Sequence, residues 1–184
     1  MDEHTAINLL KKGDIAGLEY LVRAHQLKAV RVAKFITRDL ALAEDVVQDC
    51  FLQAFRSIGG FDSHRAFEPW FMRMVTRAAV ATAQKNARKI PIETEADEIW
   101  FETLLGSEPA PEAEIEKQTI RAEITQAIDK LSPRQRAVII QRYYLGWSEK
   151  EMVAELSIAP GSVKWLLNTA RSRLRALLAG RSVK

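Results

Sequence analysis

The chain has 184 residues and a formal net charge of +3 at pH 7. This length favours one or two small domains over a single large core. Because Cys50 is the one cysteine in the sequence, an internal disulfide and a zinc site built from several cysteines are both excluded.

The sequence carries no motif that predicts catalysis, a cofactor or passage through a membrane. It has no glycine-rich phosphate loop and no local Ser, His and Asp motif, and His4, His25 and His64 lack the spacing of metal ligands. No apolar run approaches the roughly 20 residues that cross a bilayer, and the acidic N-terminus does not resemble a signal peptide. We therefore expect a cytoplasmic protein without enzymatic activity, cofactor, metal or membrane insertion.

Charge is distributed unevenly along the chain. Residues 92–116 contain nine acidic residues and no basic one, whereas residues 132–184 contain ten Lys or Arg and three acidic residues. Residues 1–91 also have a positive balance, with fourteen basic and ten acidic residues. Two basic blocks on either side of an acidic connector indicate two domains that face nucleic acid and a linker that avoids it.

Apolar residues at helical spacing predict a helix from about Asp39 to Ile58. Its inner face is formed by Ala43, Val47, Cys50, Phe51, Ala54 and Ile58. Its outer face is polar and gathers Asp45, Gln48, Asp49 and Arg56 around Leu52. An exposed leucine ringed by charges suits a protein contact, although single surface leucines are common and need no special explanation.

A following helix is predicted from about Phe67 to Lys89. Its inner side is formed by Phe67, Phe71, Met74, Val75 and Ala78, and around the helix from these lie Trp70, Arg73, Arg77, Gln84 and Arg88. The loop before it adds Phe61 and Arg65. Arginines interleaved with aromatic residues suit a strand with unpaired bases, because cations follow phosphates and rings stack on bases. An ordinary amphipathic helix with a core tryptophan and solvated arginines explains the same pattern equally well.

Explicit start signals mark two helices in the C-terminal third. Ser132, Pro133 and Gln135 supply an N-cap, a first-turn proline and a capping-box acceptor for a helix that ends near Gly146. A second capping box is formed by Ser148 and Glu151, with Trp147 placed to pack on Met152. This shorter helix ends near Leu156.

A third helix opens at Pro160, after the turn 157–159, and its two faces differ in chemistry. The apolar face holds Val163, Leu167, Ala170, Leu174 and Leu177. The opposite face holds Lys164, Trp165, Asn168, Ser172 and Arg175, with Arg171 on its flank. A short helix, a tight turn and a longer cationic helix form the unit that enters the major groove of DNA, and a generic three-helix bundle with solvated arginines is the alternative.

Several of these segments resemble one protein family in their order and spacing. Gly13-Asp14, the run 43–55 and Phe67-Glu68-Pro69-Trp70-Phe71 look like region 2 of an extracytoplasmic-function (ECF) RNA polymerase sigma factor. The runs 131–136, 146–148 and 161–164 look like region 4 of the same family. The resemblance covers nearly the whole chain. It implies an all-α fold of two small helical domains, with region 2 in residues 1–91, an acidic linker in 92–116 and region 4 in 117–184.

The resemblance also implies a function and partners. A member of this family is a bacterial alternative sigma factor that binds core RNA polymerase, directs promoter-specific initiation and catalyses nothing alone. Region 2 would open the minus-ten element of promoter DNA, and region 4 would read the minus-thirty-five element. Many relatives are held inactive by an anti-sigma factor, so a regulator of that kind is implied as a partner.

Three sets of site residues follow from the resemblance. The surface that docks on core polymerase would consist of Asp45, Gln48, Asp49, Leu52 and Gln53. The unpaired strand of the minus-ten element would be captured by Phe61, Arg65, Phe67, Trp70, Arg73 and Arg77. Duplex DNA would be contacted by Ser162, Lys164, Trp165, Asn168, Arg171 and Arg175.

The sequence also departs from the family pattern in the third helix of the C-terminal unit. Trp165-Leu166 stands where Ser-Arg is usual, and Thr169 replaces a common arginine. Ala159 occupies a position where serine or threonine usually caps the helix, which lowers local helix stability by about 1 kcal/mol. The changes at 165, 166 and 169 remove cations and add a bulky ring, so the promoter sequence that this protein recognises cannot be inferred from its relatives.

Two other functions remain open from the sequence alone. A response-regulator-type activator has a similar DNA-binding module, but it also needs a receiver or ligand-binding domain, and the N-terminal block lacks the alternating strands and helices of a receiver. A non-DNA-binding adaptor would use the same helices for protein contacts only.

Overall fold

A computed structural model describes residues 1–86, 124–156 and 159–179. Within these ranges every regular element is helical, and the chain divides into two compact units, Met1–Lys85 and Asn86–Lys184. The predicted all-α fold with two small helical domains is confirmed. The acidic linker predicted over 92–116 lies outside the described residues.

The first unit consists of α-helices joined by short connections. In chain order these are α1 (Glu3–Lys11), α2 (Ile15–Thr37), α3 (Leu40–Ser57), one turn of 3-10 helix (Ile58–Gly60) and α4 (Phe67–Asn86). Aspartates start the first three helices, since Asp2, Asp14 and Asp39 each accept a hydrogen bond from a backbone N–H in the first turn. The 2.7 Å bond from the Thr5 N–H lowers the pKa of Asp2 below its ordinary value.

Helix α1 packs very closely against the start of α2. Gly13 turns the chain between them with a φ of +83°, a conformation that glycine adopts without strain. A Cβ atom placed on Gly17 would lie 2.2 Å from the carbonyl oxygen of Ala6 and 2.8 Å from the backbone nitrogen of Leu10. The two helices can approach this closely only because residue 17 has no side chain.

Helix α3 confirms the predicted helix and its inner face. The buried side chains of the predicted set, none more than 6% exposed, are Ala43, Val47, Cys50, Phe51, Ala54 and Ile58. Val46 is buried beside them. Burial and the neighbouring Asp49 charge raise the pKa of the Cys50 thiol to about 12, so the cysteine is an inert part of the core.

Helix α4 is also present, but its buried stripe is rotated from the prediction. The buried residues are Phe67, Phe71, Met72, Val75, Thr76, Ala79 and Ala83. Met74 and Ala78, predicted to be internal, are only half-buried. The polar Thr76 takes an internal position because its hydroxyl donates a hydrogen bond of 3.2 Å to the carbonyl oxygen of Arg73. The predicted residues beyond Asn86 lie outside the described ranges.

The second unit contains the three helices predicted from its start signals. After a helical segment at 124–129 come α5 (Pro133–Tyr143), α6 (Glu149–Leu156) and α7 (Pro160–Ala179). Both reciprocal bonds of the first capping box are present, between Ser132 and Gln135. The second box joins Ser148 and Glu151 in the same way.

The core of this unit lies among α5, α6 and α7. Val163, Leu167 and Ala170 on the predicted apolar face of α7 are buried, whereas Leu174 and Leu177 nearer the C-terminus are half-buried. Gly146, with a φ of +71°, turns the chain between α5 and α6. Among the described residues of the whole chain, no helix is both long and apolar enough to cross a membrane.

Candidate nucleic-acid interface

A pocket opens in the first unit where the loop 61–66 meets the first turn of α4. Its volume is 280 Å³, and it is lined by Gly60, Phe61, Asp62, Arg65, Ala66, Pro69, Trp70 and Arg73. Four of the six residues predicted to bind an unpaired strand line it together: Phe61, Arg65, Trp70 and Arg73. Arg77 is exposed on α4, four positions after Arg73, and is not part of the lining.

An aromatic cluster forms the apolar side of the pocket. The ring of Phe61 lies 4.8 Å from that of Trp70 and 6.0 Å from that of Phe67, measured between centroids. Phe61 and Phe67 are buried, whereas Trp70 is partly exposed. Phe67, one of the predicted strand-binding residues, therefore supports the pocket from within the core, and Trp70 offers the accessible ring surface.

The rim of the pocket carries both signs of charge. The guanidinium of Arg65 lies 3.4 Å from the carboxylate of Asp62, and both side chains are largely exposed. Such a pair contributes little to stability in water, so the guanidinium remains available to a ligand. Oδ1 of Asp62 accepts a hydrogen bond of 3.0 Å from the backbone N–H of His64, so the carboxylate offers a ligand its remaining lone pairs. Asp62 and Pro69 belong to this site although the sequence pattern did not single them out. Aromatic surface, cations and one carboxylate acceptor form a site suited to stacking and hydrogen bonding of a planar base.

The outer face of α3 is a separate, exposed surface. All five predicted polymerase-binding residues are exposed there, and they are Asp45, Gln48, Asp49, Leu52 and Gln53. Leu52 is 50% exposed, and Phe55, three positions further along the helix, is 37% exposed. This ring was not predicted, and it enlarges the apolar spot around Leu52.

The outer face of α7 presents the predicted duplex-binding residues. Five of them are exposed: Ser162, Lys164, Trp165, Asn168 and Arg175. Trp165 is 64% exposed, so its indole ring is available for contact rather than used in the core. The sixth, Arg171, is only partly exposed.

Arg171 is held by a residue of α5 that the sequence pattern did not identify. Its Nε donates a hydrogen bond of 2.7 Å to the hydroxyl oxygen of Tyr143, and its guanidinium carbon lies 5.6 Å from the centre of that ring. Tyr143 is 63% exposed. The pair fixes the direction of one cation at the edge of the α7 face.

No metal centre accompanies these surfaces in the part of the chain that the structure describes. No group of three or more His, Cys, Asp or Glu side chains within it is arranged to hold a metal ion.

Two family models match this chain, one on each unit. The model described as Sigma-70 region 2 matches residues 21–89, which include α3, the loop 61–66 and α4. The model described as Sigma-70, region 4 matches residues 121–174, which include α5, α6 and most of α7.

Several curated proteins are similar over most of this chain. The ECF RNA polymerase sigma factor SigL of Mycobacterium tuberculosis is 31% identical over 175 residues, which cover 90% of this chain and 90% of SigL. The RNA polymerase sigma factor NccH of Alcaligenes xylosoxydans xylosoxydans is 27% identical over 173 residues, which cover 94% of this chain and 92% of NccH. The ECF sigma factor SigE of Mycolicibacterium smegmatis is 28% identical over 92% of this chain, and the match spans 66% of SigE. This chain spans 43% of the length of another relative, SigG of Mycobacterium tuberculosis.

Two solved structures share the fold. CnrH, solved in complex with the cytosolic domain of CnrY, aligns with a TM-score of 0.65 at 21% identity, covering 98% of this chain and 99% of CnrH. The sigma factor RpoE of Bartonella quintana, solved with the anti-sigma factor NepR, aligns with a TM-score of 0.64 at 22% identity. The alignment covers 88% of this chain and 96% of RpoE. The two matched regions and the SigL similarity establish that the chain belongs to the family of ECF RNA polymerase sigma factors.

Proposed function

We propose that this chain is an alternative sigma factor that binds core RNA polymerase and directs initiation at its own class of promoters. The observation that carries the proposal is the presence, in one chain of this family, of two different surfaces that are suited to nucleic acid. One is a ring-lined pocket with a charged rim, and the other is a helix-turn-helix unit with an exposed polar helix. Such a protein acts in the cytoplasm and has no catalytic reaction of its own.

The proposed domain assignment follows the charge pattern. Residues 1–91 form region 2, residues 92–116 the acidic linker and residues 117–184 region 4. The linker's nine acidic residues keep it off the DNA backbone while the two basic regions engage the promoter.

The pocket of the first unit is the proposed site for one unpaired base of the minus-ten element. Trp70 supplies a stacking surface, which is typically worth about 1–3 kcal/mol per base. Arg65 and Arg73 lie in the lining, where they can contact the phosphates on either side of the flipped nucleotide. The Asp62 carboxylate can accept a hydrogen bond from an exocyclic amino group of the base, which gives the pocket a means of discrimination.

Helix α7 is the proposed reader of duplex DNA at the minus-thirty-five element. Lys164 and Asn168 are exposed one turn apart on its outer face, where their side chains can reach base edges in the major groove. Arg171 and Arg175 continue that face and are proposed to contact phosphates. Trp165 adds a large ring surface for contact with thymine methyl groups or sugars.

The outer face of α3 is the proposed docking surface for core polymerase. Leu52 and Phe55 form its apolar centre, and Asp45, Gln48, Asp49 and Gln53 surround them. An apolar spot with a polar rim has the composition of a protein interface. Asp45 and Asp49 make part of this rim negative, which is complementary to a basic partner surface, and the exposed Arg56 lies on the same face.

An anti-sigma factor is proposed as the regulator. Two solved structures with this fold are complexes, of CnrH with the cytosolic domain of CnrY and of RpoE with the anti-sigma factor NepR. A partner of this class would keep the present chain from core polymerase until a signal releases it.

The response-regulator alternative is not favoured. It requires a receiver or ligand-binding domain, whereas the described residues of the first unit form helices only and residues 21–89 match Sigma-70 region 2.

Transcription with purified core polymerase on sheared genomic DNA tests the proposal. We expect RNA start sites that appear only when this protein is added and that share two upstream sequence elements. Failure to bind core polymerase would contradict the proposal. Normal polymerase binding without new start sites, together with weak DNA binding at low salt, would favour the adaptor function instead.

A further inference from the structure

The loop that forms the pocket is fixed at both ends by α1. The ammonium group of Lys11 donates a hydrogen bond of 2.6 Å to the carbonyl oxygen of Phe61, the first residue of the loop. The backbone N–H of Phe67, directly after the loop, donates a bond of 3.2 Å to Oε1 of Glu3. Two charged side chains from the two ends of one short helix therefore hold the two ends of the loop.

The Glu3 carboxylate is itself held in position. Its second oxygen, Oε2, lies 2.9 Å from Nε2 of His25, which is buried on α2. The His25 ring lies 5.3 Å from the Phe67 ring, so both bonds of Glu3 end on neighbouring groups. A carboxylate with both oxygens engaged loses the freedom to follow a moving loop.

The fixed ends carry the rings that shape the pocket. Phe61 and Phe67 are both buried and both pack on Trp70, with centroid distances of 4.8 Å and 5.5 Å. Between them the loop residues Asp62, His64 and Arg65 are exposed. If either end moved, Trp70 would lose a packing partner and the pocket would change its width.

We propose that Glu3 and Lys11 are positioning residues. From the two ends of α1 they hold the loop 61–66 in place and so preorganise the pocket for the unpaired strand. This inference rests on the proposed function of the pocket. Neither residue is among those that line the pocket, so each acts through the loop backbone. Preorganisation raises affinity because the bound strand does not have to order the loop.

The test measures binding of a single-stranded oligonucleotide to holoenzyme. The probe is a fluorescent nontemplate strand that spans the minus-ten element of a promoter selected by the wild-type holoenzyme from genomic DNA. Lys11→Met is compared with Lys12→Met, because both remove one cation from neighbouring positions and the structure gives Lys12 no bond to the loop. We expect at least tenfold weaker strand binding for Lys11→Met, the loss associated with a charged hydrogen bond, and little change for Lys12→Met.

Two further variants separate positioning from folding. Lys11→Arg retains a donor and should recover most of the strand affinity. Glu3→Met should accelerate hydrogen exchange at the Phe67 N–H about tenfold, whereas Glu19→Met, on the exposed Glu19–Arg23 pair, should not. Core-polymerase binding should be the same for all variants.

The outcomes distinguish this inference from the proposed function. If wild-type holoenzyme does not bind the strand, the proposed role of the pocket is wrong and the inference falls with it. If wild-type holoenzyme binds and Lys11→Met matches Lys12→Met, the inference alone is overturned. Unchanged exchange at Phe67 in Glu3→Met would likewise overturn it.

Discussion

At the scale of single residues, the pair of Tyr143 and Arg171 shows how a side chain outside α7, the proposed reader of duplex DNA, orients an arginine on that helix. Arg171 is on α7, yet its direction is set by the hydroxyl of a tyrosine at the end of α5. A guanidinium held in place loses less conformational entropy when it meets a phosphate than a free one does. The tyrosine thus belongs to the proposed DNA-binding surface through its effect on the arginine.

Arg171→Ala should weaken promoter binding by holoenzyme and reduce the slope of log K against log salt by about 1, because one phosphate contact is lost. Tyr143→Phe should weaken binding less, by about twofold to fivefold, since the cation remains but its direction is no longer fixed. Filter binding at several salt concentrations measures both. In the Arg171→Ala background the tyrosine change should have no further effect, and additive losses would contradict the coupling.

Cys50 gives a prediction on reactivity and pH. Burial raises the pKa of its thiol from an ordinary 9.0 to about 12, so the native thiol remains protonated under mildly alkaline conditions. Labelling by a thiol-disulfide reagent should be slow in the native protein and fast in urea. Rapid labelling of the native protein would contradict this burial.

The raised pKa of Cys50 also makes the free energy of unfolding depend on pH. Between pH 9 and pH 12 the unfolded state releases the thiol proton while the folded state retains it, so this contribution to stability is lost as pH rises through that window. Cys50→Ala should therefore show a shallower alkaline decline in the free energy of unfolding than wild type. An identical decline in the two proteins would argue against the shifted pKa.

At the scale of helices, the packing of α1 on α2 depends on a single missing side chain. In Gly17→Ala the new Cβ would overlap the carbonyl oxygen of Ala6, so α1 must move away from α2. Overpacking of this kind destabilises by about 1–3 kcal/mol, which urea unfolding measures. Gly59→Ala is the control, because a Cβ there meets no atom within 4 Å. Equal stability of the two variants would mean that the close approach is not required.

The sequence predicted some features of the helices better than others. The difference depends on how far apart in sequence the interacting residues lie. Capping boxes at Ser132 and Ser148 depend on residues three positions apart, so they were predicted and are present. The stripe of α4 was rotated because apolar spacing alone placed Met74 and Ala78 inside, whereas the fold buries the polar Thr76, whose hydroxyl bonds within its own helix. The bonds of α1 to the loop join residues 50 and 64 positions apart, which no local pattern reveals.

At the scale of the whole molecule, the proposed contacts with polymerase and with DNA are made by different elements of the chain. The α3 surface shares no residue with the pocket or with α7. The two activities should therefore be separable by mutation. The sequence predicts this division because the residues proposed for different partners occupy separate segments, whereas the relative placement of the residues within each site required the fold.

Leu52→Glu should reduce binding to core polymerase at least tenfold, because it places a charge at the centre of an apolar contact. Leu27→Glu is a matched control, since Leu27 is 64% exposed on α2 and lies outside the proposed docking surface. Fluorescence anisotropy of the labelled protein with core polymerase measures both affinities. Equal affinities would remove Leu52 from the interface.

The loop between Phe61 and Phe67 has a consequence for engineering. Its ends are anchored by buried rings and by α1, whereas Asp62, His64, Arg65 and Ala66 project from the fold. The four exposed residues can be replaced together, because their side chains are not part of the core of the first unit. We expect that transplanted loops of the same length would change which base the protein prefers without changing how the domain folds.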